Sequence, residues 1–495
     1  MAGEEKTIET EEAGQGAGQG AGQGAGRGAK PFGLIDKLAY AAGDFGCNMS
    51  FSLKSYLTIY WTQYMGIDSY LMSILLLVVQ AWDAISDPMI GSMVDADRRT
   101  YKRNKFLQYI WVGSIGLMFA GALCFLPFPN APAMAKNVMF IAGYVIWSAF
   151  YTVANVPYGS MLSLITDDPG ERAQLSTWRS LGTMAGSIAT GIVVPLIIYD
   201  ADSNLRGAWM FPMALVMGLI GFVCFQFTVH NTTIRVDTDI TTQTEKPRFN
   251  FFKSVGNFLR NRAAVGATLA PVGMFLGMYG ASTATTVMFQ SYFNAASISG
   301  VLSMVSYVGV FIYPFFIDRL VARYGKKELC VFGSIVMCVG YGLLVVLPIE
   351  GNAMGLVVYT LCNVIASLGS GLSNCLAWSL MADATDYNEW KNGVREEGTI
   401  YSLHSFFRKL AQGIGPSLGL VLCVAFGYDE SLGAAQTAQT ALNMRYLSAA
   451  MYLFSAVVQL VAYALVYNLD KETTAQMNRE LDERHAAAAA AAAER

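Results

Sequence analysis

The sequence predicts an all-α membrane protein with twelve transmembrane helices in two six-helix halves. Of its 495 residues, 54% are hydrophobic and only 14% are charged, whereas a soluble domain carries about a quarter charged residues. Apolar stretches of about 20 residues, the length that crosses a bilayer, recur along the chain. The longest polar break, residues 230–262, follows the sixth stretch. These observations exclude an ordinary soluble protein and divide the chain near its middle.

The elements follow in a simple order along the chain. Residues 1–33 form an acidic tail that continues into Gly, Ala and Gln repeats, a composition that predicts disorder because it cannot bury a core. The N-terminal half, 34–229, holds apolar stretches near 38–65, 69–92, 106–127, 137–160, 176–198 and 209–229. After the linker at 230–262, the C-terminal half, 263–468, holds stretches near 263–289, 297–317, 328–348, 353–378, 402–425 and 444–468. The tail at 469–495 is polar, and its alanine run has the composition of a helix.

Lysine and arginine predict the orientation, because short cytoplasmic loops carry an excess of both. One side holds basic clusters in the loop after the second stretch, in the linker and after the eighth stretch, including Arg98, Arg99, Arg235, Arg319 and Arg323. The other side carries only Lys136, Arg206 and Arg445. We therefore expect a multi-pass protein of the cell's inner (cytoplasmic) membrane with both termini in the cytoplasm.

The two halves carry similar charged segments at matching positions. Residues 91–99 after the second stretch read GSMVDADRR, and residues 318–327 after the eighth read DRLVARYGKK. Acid–base clusters at matching positions suit two repeats related by an axis along the membrane normal. The pattern predicts the major facilitator fold, with a substrate site between the halves near the bilayer midplane.

The second stretch carries two acidic residues, Asp83 and Asp87, within LMSILLLVVQAWDAISDPMIG at 71–91. An ionised carboxylate in hydrocarbon costs about 3 kcal/mol or more, so such residues usually face the protein interior and have a partner. Spaced i, i+4, the two lie on one helix face. Their four oxygens predict a site for a small cation or a proton.

The first stretch carries Asp44, Asn48 and Lys54, with Asp44 and Asn48 on one face. Asp44 is interpreted either as a functional residue near midplane or as the partner of another charge. Lys54 lies deep in its segment, which argues against a side chain that reaches the membrane surface. Two interpretations stay open: a cavity-facing or ion-paired side chain, or a peripheral one on a tilted segment.

The fourth and fifth stretches add further polar candidates. Tyr151, Thr152 and Asn155 lie near the end of the fourth, where they either line a site or hydrogen bond between helices. Arg179 lies near the start of the fifth stretch and has two interpretations. Its side chain either reaches the membrane surface or points inward, where it would bind a hydroxyl pair or a carboxylate in bidentate fashion. Trp378 on the tenth stretch is a further candidate for substrate contact.

The segment from Met381 is the most specific part of the chain. We expect a charged loop that carries Asp383, Asp386, Glu389, Lys391, Arg395, Glu396 and Glu397. The next helix then places Tyr401, Ser405 and Lys409 on one face at i, i+4 spacing. A lysine inside a membrane needs a carboxylate or polar ligand, which favours a gating or substrate role for Lys409.

Other kinds of site have little support. The eight cysteines lie in apolar segments without zinc-ligand or CxxC spacing, and the three histidines are far apart. We find no nucleophile–base constellation, metal motif or phosphate loop. The expectation is therefore a protein that is no enzyme, has no cofactor, binds no nucleic acid and works as a monomer in the lipid bilayer.

Three motifs carry a family resemblance: AWDAISDPMIG at 81–91, YTVANVPYGSM at 151–161, and MADATDYNEWKNGVREEG at 381–398 with the following Tyr401 to Lys409. From about Leu34 to Asn468 the chain resembles the glycoside–pentoside–hexuronide:cation symporter family. The resemblance implies alternating access: a cation binds first, then a sugar binds between the halves, and the halves rock about the site.

The resemblance also assigns roles residue by residue. Asp83 and Asp87 match the carboxylates that bind the coupling cation, Na⁺ or H⁺, and Thr152 matches an assisting threonine. Ser86 stands where the family has an asparagine. The hydroxyls of Ser86 and Thr152 still offer oxygen ligands for Na⁺, whereas the loss of the asparagine counts against Na⁺ coupling. Lys409 matches a lysine near the cation site, and Arg179 lies within one position of a sugar-contacting arginine. Gating ion pairs on the cytoplasmic side are expected from Arg98, Arg319, Asp383 and Arg395.

The departures concern the sugar. Asn48 and Asn155 stand where a galactoside carrier of the family has aspartates, and Gly159 replaces a stacking tryptophan. With two negative charges removed beside Arg179 and Lys409, we favour a β-glucuronide or related glycoside. The alternatives are a neutral di- or oligosaccharide and, in another class, a transporter-like sugar sensor. Lys54 would contact a substrate carboxylate or pair with Asp83 or Asp87 and replace part of the cation's role.

Overall fold

The computed structural model describes residues 31–97, 101, 104–166, 169–235, 256, 258–393 and 397–493. Most of the predicted N-terminal tail and of the linker lies outside these ranges. The described chain is helical, and its only β structure in these ranges is an isolated bridge between Tyr199 and Leu205. The predicted all-α class is therefore confirmed.

The first half consists of helices that follow one another through short connections. Asp68 and Asn104 cap two of these helices, each by accepting a hydrogen bond from a backbone N–H of the first turn. A π-helical turn, Tyr60–Tyr64, continues the second helix. The helices are α1 (Leu34–Phe51), α2 (Lys54–Ile59), α3 (Ser69–Ala96), α4 (Lys105–Leu123), α5 (Ala133–Ser160), α6 (Leu162–Ile165), α7 (Pro169–Ile198) and α8 (Met210–Asn231).

The second half repeats this pattern with one interrupted segment. The stretch near 297–317, predicted as one helix, is broken into short α and 3₁₀ pieces. A further helix follows the last apolar stretch and includes the alanine run of the tail. The helices are α9 (Arg262–Val287), α10 (Ser299–Ser303), α11 (Val308–Ile312), α12 (Ile317–Tyr324), α13 (Lys326–Val346), α14 (Ala353–Asn392), α15 (Glu397–Ala425), α16 (Ala438–Val461) and α17 (Lys471–Ala493).

Eight helical stretches among the described residues are long and apolar enough to cross a membrane. The other predicted stretches are also helical, but they are interrupted, shorter in apolar length or more polar. The count of twelve spans therefore stays a prediction.

Two charged segments expected as loops are helical instead. Helix α14 runs for 40 residues, so Asp383, Asp386, Glu389 and Lys391 extend a helix rather than form a loop. Gly393, in the left-handed conformation at φ 70°, ends it. Arg319 and Arg323 likewise lie on α12. Hydropathy missed these extensions because it detects where a span stops being apolar, and a polar helix can continue beyond that point.

Small residues bring the helices together. A methyl group on Gly46 of α1 would come within 2.9 Å of the Gly221 carbonyl oxygen of α8. The same group on Gly182 of α7 would lie 2.1 Å from the Ala41 carbonyl oxygen of α1. Close backbone approach at small residues is the usual basis of helix packing in membranes. It fixes α1 between α7 and α8, which positions the polar residues of α1.

The halves join at one end of the bundle, which we call the closed end. Gln63 donates to Gln290 at 3.0 Å and to the Tyr428 hydroxyl at 3.1 Å. Ser69 donates its hydroxyl proton to Glu430 at 2.8 Å. These contacts join the first half to the second, near the start of α3 and the ends of α2, α9 and α15.

The buried apolar residues follow the same division. One core includes residues of both halves, among them Tyr60 and Phe125 of the first and Val287 and Leu420 of the second. Among the described residues, the second core contains no residue of the first half and extends from Phe258 at the end of the linker to Leu481 in the C-terminal tail.

Candidate functional site

The carboxylate of Asp83 on α3 is surrounded by hydrogen-bond donors. The Lys54 ammonium lies 3.3 Å from Asp83 Oδ2. The Tyr144 hydroxyl donates to the same oxygen at 2.9 Å, and the Ser148 hydroxyl donates to Oδ1. Lys54 also donates to the Tyr144 oxygen at 2.9 Å. Of the alternatives left open for Lys54, the structure shows the ion pair with Asp83.

A break in the first membrane segment places Lys54 at this position. Helix α1 ends at Phe51, two turn residues follow, and α2 begins at Lys54 itself. The ammonium lies 4.9 Å from the Tyr144 ring centroid, 5.4 Å from Phe51 and 5.6 Å from Trp147. Aromatic faces attract cations at such distances, and more strongly away from water. The three rings therefore hold the charge in place together with Asp83.

Tyr144 and Ser148 are absent from the residues predicted by sequence, although a signal exists. Together with Thr152 and Asn155 they occupy positions i, i+4, i+8 and i+11 of α5, which is one helical face. A polar stripe of this spacing in an apolar helix predicts an inward face. The predicted residues Thr152 and Asn155 form the last part of this stripe, next to the NVPYGS run at 155–160.

The other members of the expected cation site make local backbone contacts. The Ser86 hydroxyl is buried and donates to the Asp83 carbonyl oxygen at 3.4 Å. The Thr152 hydroxyl, also buried, donates to the Ser148 carbonyl oxygen at 3.0 Å. The Asp87 side chain lies outside the described part of the structure. The assignment of Asp83, Ser86, Asp87 and Thr152 to one cation site stays a prediction.

The described donors around Asp83 fit a Na⁺ ion poorly. Lys54, Tyr144 and Ser148 all donate to the carboxylate, so their protons occupy three of its roughly four lone-pair positions. Two positive charges about 4 Å apart repel by roughly 4 kcal/mol at an effective dielectric constant of 20. In the described ranges no group of three or more His, Cys, Asp or Glu side chains gathers as a metal site.

A second charged pair joins α1 to α7. Arg179 Nε of α7 is 3.5 Å from Asp44 Oδ1, and the guanidinium lies 5.1 Å from the Tyr158 ring centroid. The Thr183 hydroxyl donates to Asp44 Oδ2. The Asp44 side chain is 9% exposed and that of Arg179 is 36% exposed. Asp44 is therefore the partner of a charge, as one of its two interpretations expected, and Arg179 keeps an accessible face.

The two asparagines also have hydrogen-bond partners in the first half. Asn48 donates to the Asp44 carbonyl oxygen at 2.9 Å and accepts from the Ser187 hydroxyl at 3.3 Å. The Cys47 thiol donates to the Asn155 side-chain oxygen at 3.6 Å. Tyr151 lies 5.7 Å from Phe51, ring to ring. The structure thus brings the predicted residues of α1, α3, α5 and α7 into one polar region of the first half.

The predicted residues of the second half are less completely placed. Lys409 lies on α15 with an exposed side chain, and the described lysine contact of Asp83 comes from Lys54. The side chains of Trp378 and Tyr401 lie outside the described part. The substrate roles of all three stay predictions.

Of the four predicted gating residues, Asp383 has a described partner. Lys326, the first residue of α13, donates to both Asp383 oxygens at 2.7 and 2.8 Å. Burial raises the pKa of Asp383, and the hydrogen bond and charge of Lys326 oppose that rise. Arg319 is exposed on α12, whereas Arg98 and Arg395 lie outside the described residues. The Lys326–Asp383 pair joins α13 to α14 at the end of the bundle opposite the closed end.

Comparison with known proteins gives a consistent result over nearly the whole chain. The family described as MFS/sugar transport protein matches residues 39–471. An uncharacterized symporter of Bacillus subtilis (strain 168) is 29% identical over 92% of this chain and 96% of its own length. The isoprimeverose transporter of Lactiplantibacillus pentosus is 29% identical over 91% of this chain and 92% of its own. The glucuronide carrier protein homolog of Escherichia coli (strain K12) is 26% identical over 82% and 87%.

Solved structures share the fold at low sequence identity. A bacterial homologue of the human lysosomal transporter Spinster, in an inward-facing and occupied conformation, superimposes with a TM-score of 0.59 at 14% identity. The match covers 88% of this chain and 95% of that one. At this identity the likeness supports the predicted major facilitator fold.

Proposed function

Because this chain belongs to the family of MFS/sugar transport proteins, we propose that it is a secondary active symporter that imports a glycoside together with a cation, Na⁺ or H⁺. It is a multi-pass membrane sugar transporter rather than an enzyme. The observation that carries the proposal is the pair of charged clusters, Asp83 with Lys54 and Asp44 with Arg179, inside one half of the bundle. Ionisable residues within membrane segments mark substrate and ion pathways.

Alternating access gives these clusters a mechanism. The closed end joins the halves through Gln63, Gln290 and Glu430, and the excess of Lys and Arg at the opposite end favours a cytoplasmic position for that end. The Lys326–Asp383 pair would then belong to the cytoplasmic gate. A cation and a sugar that each favour the same state raise each other's affinity, typically by about 1–3 kcal/mol.

We propose a β-glucuronide or related glycoside as the substrate. Arg179 keeps about a third of its side chain exposed, and its guanidinium can bind a carboxylate or a pair of sugar hydroxyls through two parallel hydrogen bonds. Asn48 and Asn155 add neutral groups that suit sugar hydroxyls without repelling an anion. The relative described as a glucuronide carrier protein homolog supports this class.

One observation favours a neutral di- or oligosaccharide instead. Asp44 already balances the charge of Arg179, which leaves that pair without net charge for a substrate carboxylate. The relative described as an isoprimeverose transporter supports this second candidate. The two candidates differ in charge, so the substrate can be chosen to distinguish them.

The test is uptake into proteoliposomes under an imposed Na⁺ or H⁺ gradient. A 4-nitrophenyl β-glucuronide and the matching 4-nitrophenyl β-glucoside differ only in the carboxylate, so their ratio reports the preferred charge. We expect gradient-driven accumulation, with the glucuronide preferred and that preference lost in Arg179→Gln. Accumulation of neither compound, nor of a labelled disaccharide, under either gradient would contradict symport.

A further inference from the structure

We propose that Lys54 is a tethered cation that takes the place of Na⁺ at Asp83, so that sugar transport by this chain does not depend on Na⁺. The inference rests on the proposed sugar transport and goes beyond it by excluding one coupling ion. It starts from a difference between this site and an ordinary sodium site, which presents oxygen lone pairs to a hard cation.

The positive charge of Lys54 is fixed rather than loosely placed. Its ammonium contacts Asp83 Oδ2 at 3.3 Å and the Tyr144 oxygen at 2.9 Å, and three aromatic rings surround it. An ammonium has three donors and no acceptor, so carboxylate, phenol and ring faces meet all its needs. A side chain held by this many partners does not leave when a soluble ion of the same charge arrives.

The carboxylate of Asp83 also accepts three hydrogen bonds. Oδ2 accepts from Lys54 and from Tyr144, and Oδ1 accepts from Ser148. Na⁺ binds lone pairs, and these hydrogen bonds occupy three of the carboxylate's roughly four lone-pair positions. The neighbouring hydroxyls of Ser86 and Thr152 donate to backbone oxygens of their own helices. A Na⁺ ion would therefore have to displace an intramolecular cation and rearrange a hydrogen-bonded network.

Lys54 also lies where an ion that governs alternating access would lie. Its helix, α2, contacts α9 of the second half. The charge thus stands at the boundary between the halves. A tethered cation there balances the charge of Asp83 without a Na⁺ ion from solution.

The experiment compares Na⁺ effects in wild type and in Lys54→Met. In proteoliposomes at one fixed pH, counterflow of 4-nitrophenyl β-glucuronide or of the glucoside is measured with sodium chloride or choline chloride on both sides. We expect the wild-type rate to be the same in both salts. In Lys54→Met, which empties the position beside Asp83, we expect Na⁺ to raise the rate by about fivefold or more, the lower range of coupling between two ligands.

Two controls and a direct measurement complete the test. Lys54→Arg keeps the charge and should stay insensitive to Na⁺, and Lys37→Met removes a lysine outside the site and should behave as wild type. Binding of ²²Na⁺ to purified wild type should be absent, and this measurement decides the question even if Lys54→Met does not fold. Na⁺ binding to wild type, or Na⁺ stimulation of wild-type counterflow, would overturn the tethered cation while leaving sugar transport in place. Absence of counterflow for every sugar would instead contradict the proposed function.

Discussion

At the scale of single residues, the Asp44–Arg179 pair is asymmetric in its exposure. The Asp44 side chain is 9% exposed and that of Arg179 is 36% exposed. Removing Arg179 leaves a buried carboxylate held by Thr183, whereas removing Asp44 leaves a guanidinium that water can still reach. The penalty for a broken ion pair comes mainly from the charge that remains buried. The two single substitutions should therefore differ.

We predict that Arg179→Gln lowers the free energy of unfolding by roughly 2 kcal/mol, a value reduced from the range for fully buried pairs because Arg179 is partly exposed. Asp44→Asn should lower it by less, and the double substitution should recover part of the loss. Thermal unfolding of the purified protein in one detergent measures all three. A larger loss in Asp44→Asn than in Arg179→Gln would contradict this account.

Asp383 allows a prediction about pH. Burial raises its folded-state pKa above the unfolded value, so the folded protein binds the proton more tightly. The contribution of this group to stability is complete below the unfolded pKa and is lost as pH rises through the folded pKa. Relative to Asp383→Asn, the wild type should gain thermal stability as the pH falls from neutral toward about 4, the usual pKa of aspartate.

The measurement is the difference in melting temperature between wild type and Asp383→Asn across that pH range. Subtraction removes the titration of every other group. A Lys326→Met variant serves as the control, because without the opposing ammonium the same carboxylate should show a larger difference. If the melting temperature of wild type instead fell relative to that of Asp383→Asn on acidification, pairing with Lys326 would outweigh burial.

The sequence indicated the acidic centres of the site but not their partners. Asp83 and Asp44 stand out because charge is expensive in an apolar helix. Tyr144 and Ser148 show only through the polar stripe of α5, and Thr183 does not stand out, because a hydroxyl group can hydrogen bond to the backbone of its own helix. Their role depends on which faces of α1, α3, α5 and α7 meet. That is a property of packing, and the spacing in one helix gives only part of it.

At the scale of helices, close contact between α1 and α7 should control the geometry of the site. A methyl group on Gly182 would lie 2.1 Å from the Ala41 carbonyl oxygen, and backbone on both sides leaves no flexible group to yield. We predict that Gly182→Ala separates the helices and destabilises the protein by about 1–3 kcal/mol, the usual range for overpacking.

Gly342→Ala is the matched control, because nothing lies within 4 Å of its added methyl group. It should keep or raise the melting temperature, since alanine favours a helix over glycine by about 1 kcal/mol. Sugar counterflow should fall in Gly182→Ala, where the Asp44–Arg179 distance changes, and stay unchanged in Gly342→Ala. Equal melting temperatures for the two variants would argue against tight α1–α7 packing.

Helix boundaries show where hydropathy stops being informative. The apolar stretches were located within several residues, but α14 continues to Asn392 and the alanine run belongs to a longer helix, α17. The polar part of α17 packs its apolar side against the bundle: Met477 is fully buried, and Trp390 donates to Glu480 at 2.7 Å. Apolar residues spaced along a polar helix were the available signal for this docking.

At the scale of the whole molecule, the pattern of apolar stretches predicts the family fold but not the relative position of its halves. Both states of an alternating-access carrier have the same sequence and nearly the same contacts within each half. What differs is a small set of contacts between halves, such as Gln63 with Gln290 and Ser69 with Glu430. Polar residues at helix ends carry no sequence signal that distinguishes them from other surface groups.

These few hydrogen bonds hold the halves together only weakly at the closed end, so a single substitution can change how often that end opens. Glu430 accepts from the Ser69 hydroxyl at 2.8 Å and from its backbone N–H at 3.4 Å, and both bonds exist only while this end is closed. Hydrogen bonds to a charged group contribute about 1.5–3 kcal/mol. We predict that Glu430→Ala shifts the equilibrium by roughly tenfold or more toward a state open at this end.

Hydrogen–deuterium exchange followed by mass spectrometry measures that shift directly. In Glu430→Ala, amides around 60–70, 288–298 and 426–436 should exchange faster, because opening removes the contacts that protect them. Glu350→Ala is the control: this acidic residue lies near the same end, but its described contact, with Asn352, stays within its own half. Equal acceleration of exchange in both variants would indicate general destabilisation of this end and would contradict the prediction. Acceleration in Glu430→Ala alone would identify the closed end as a conformational switch between the halves.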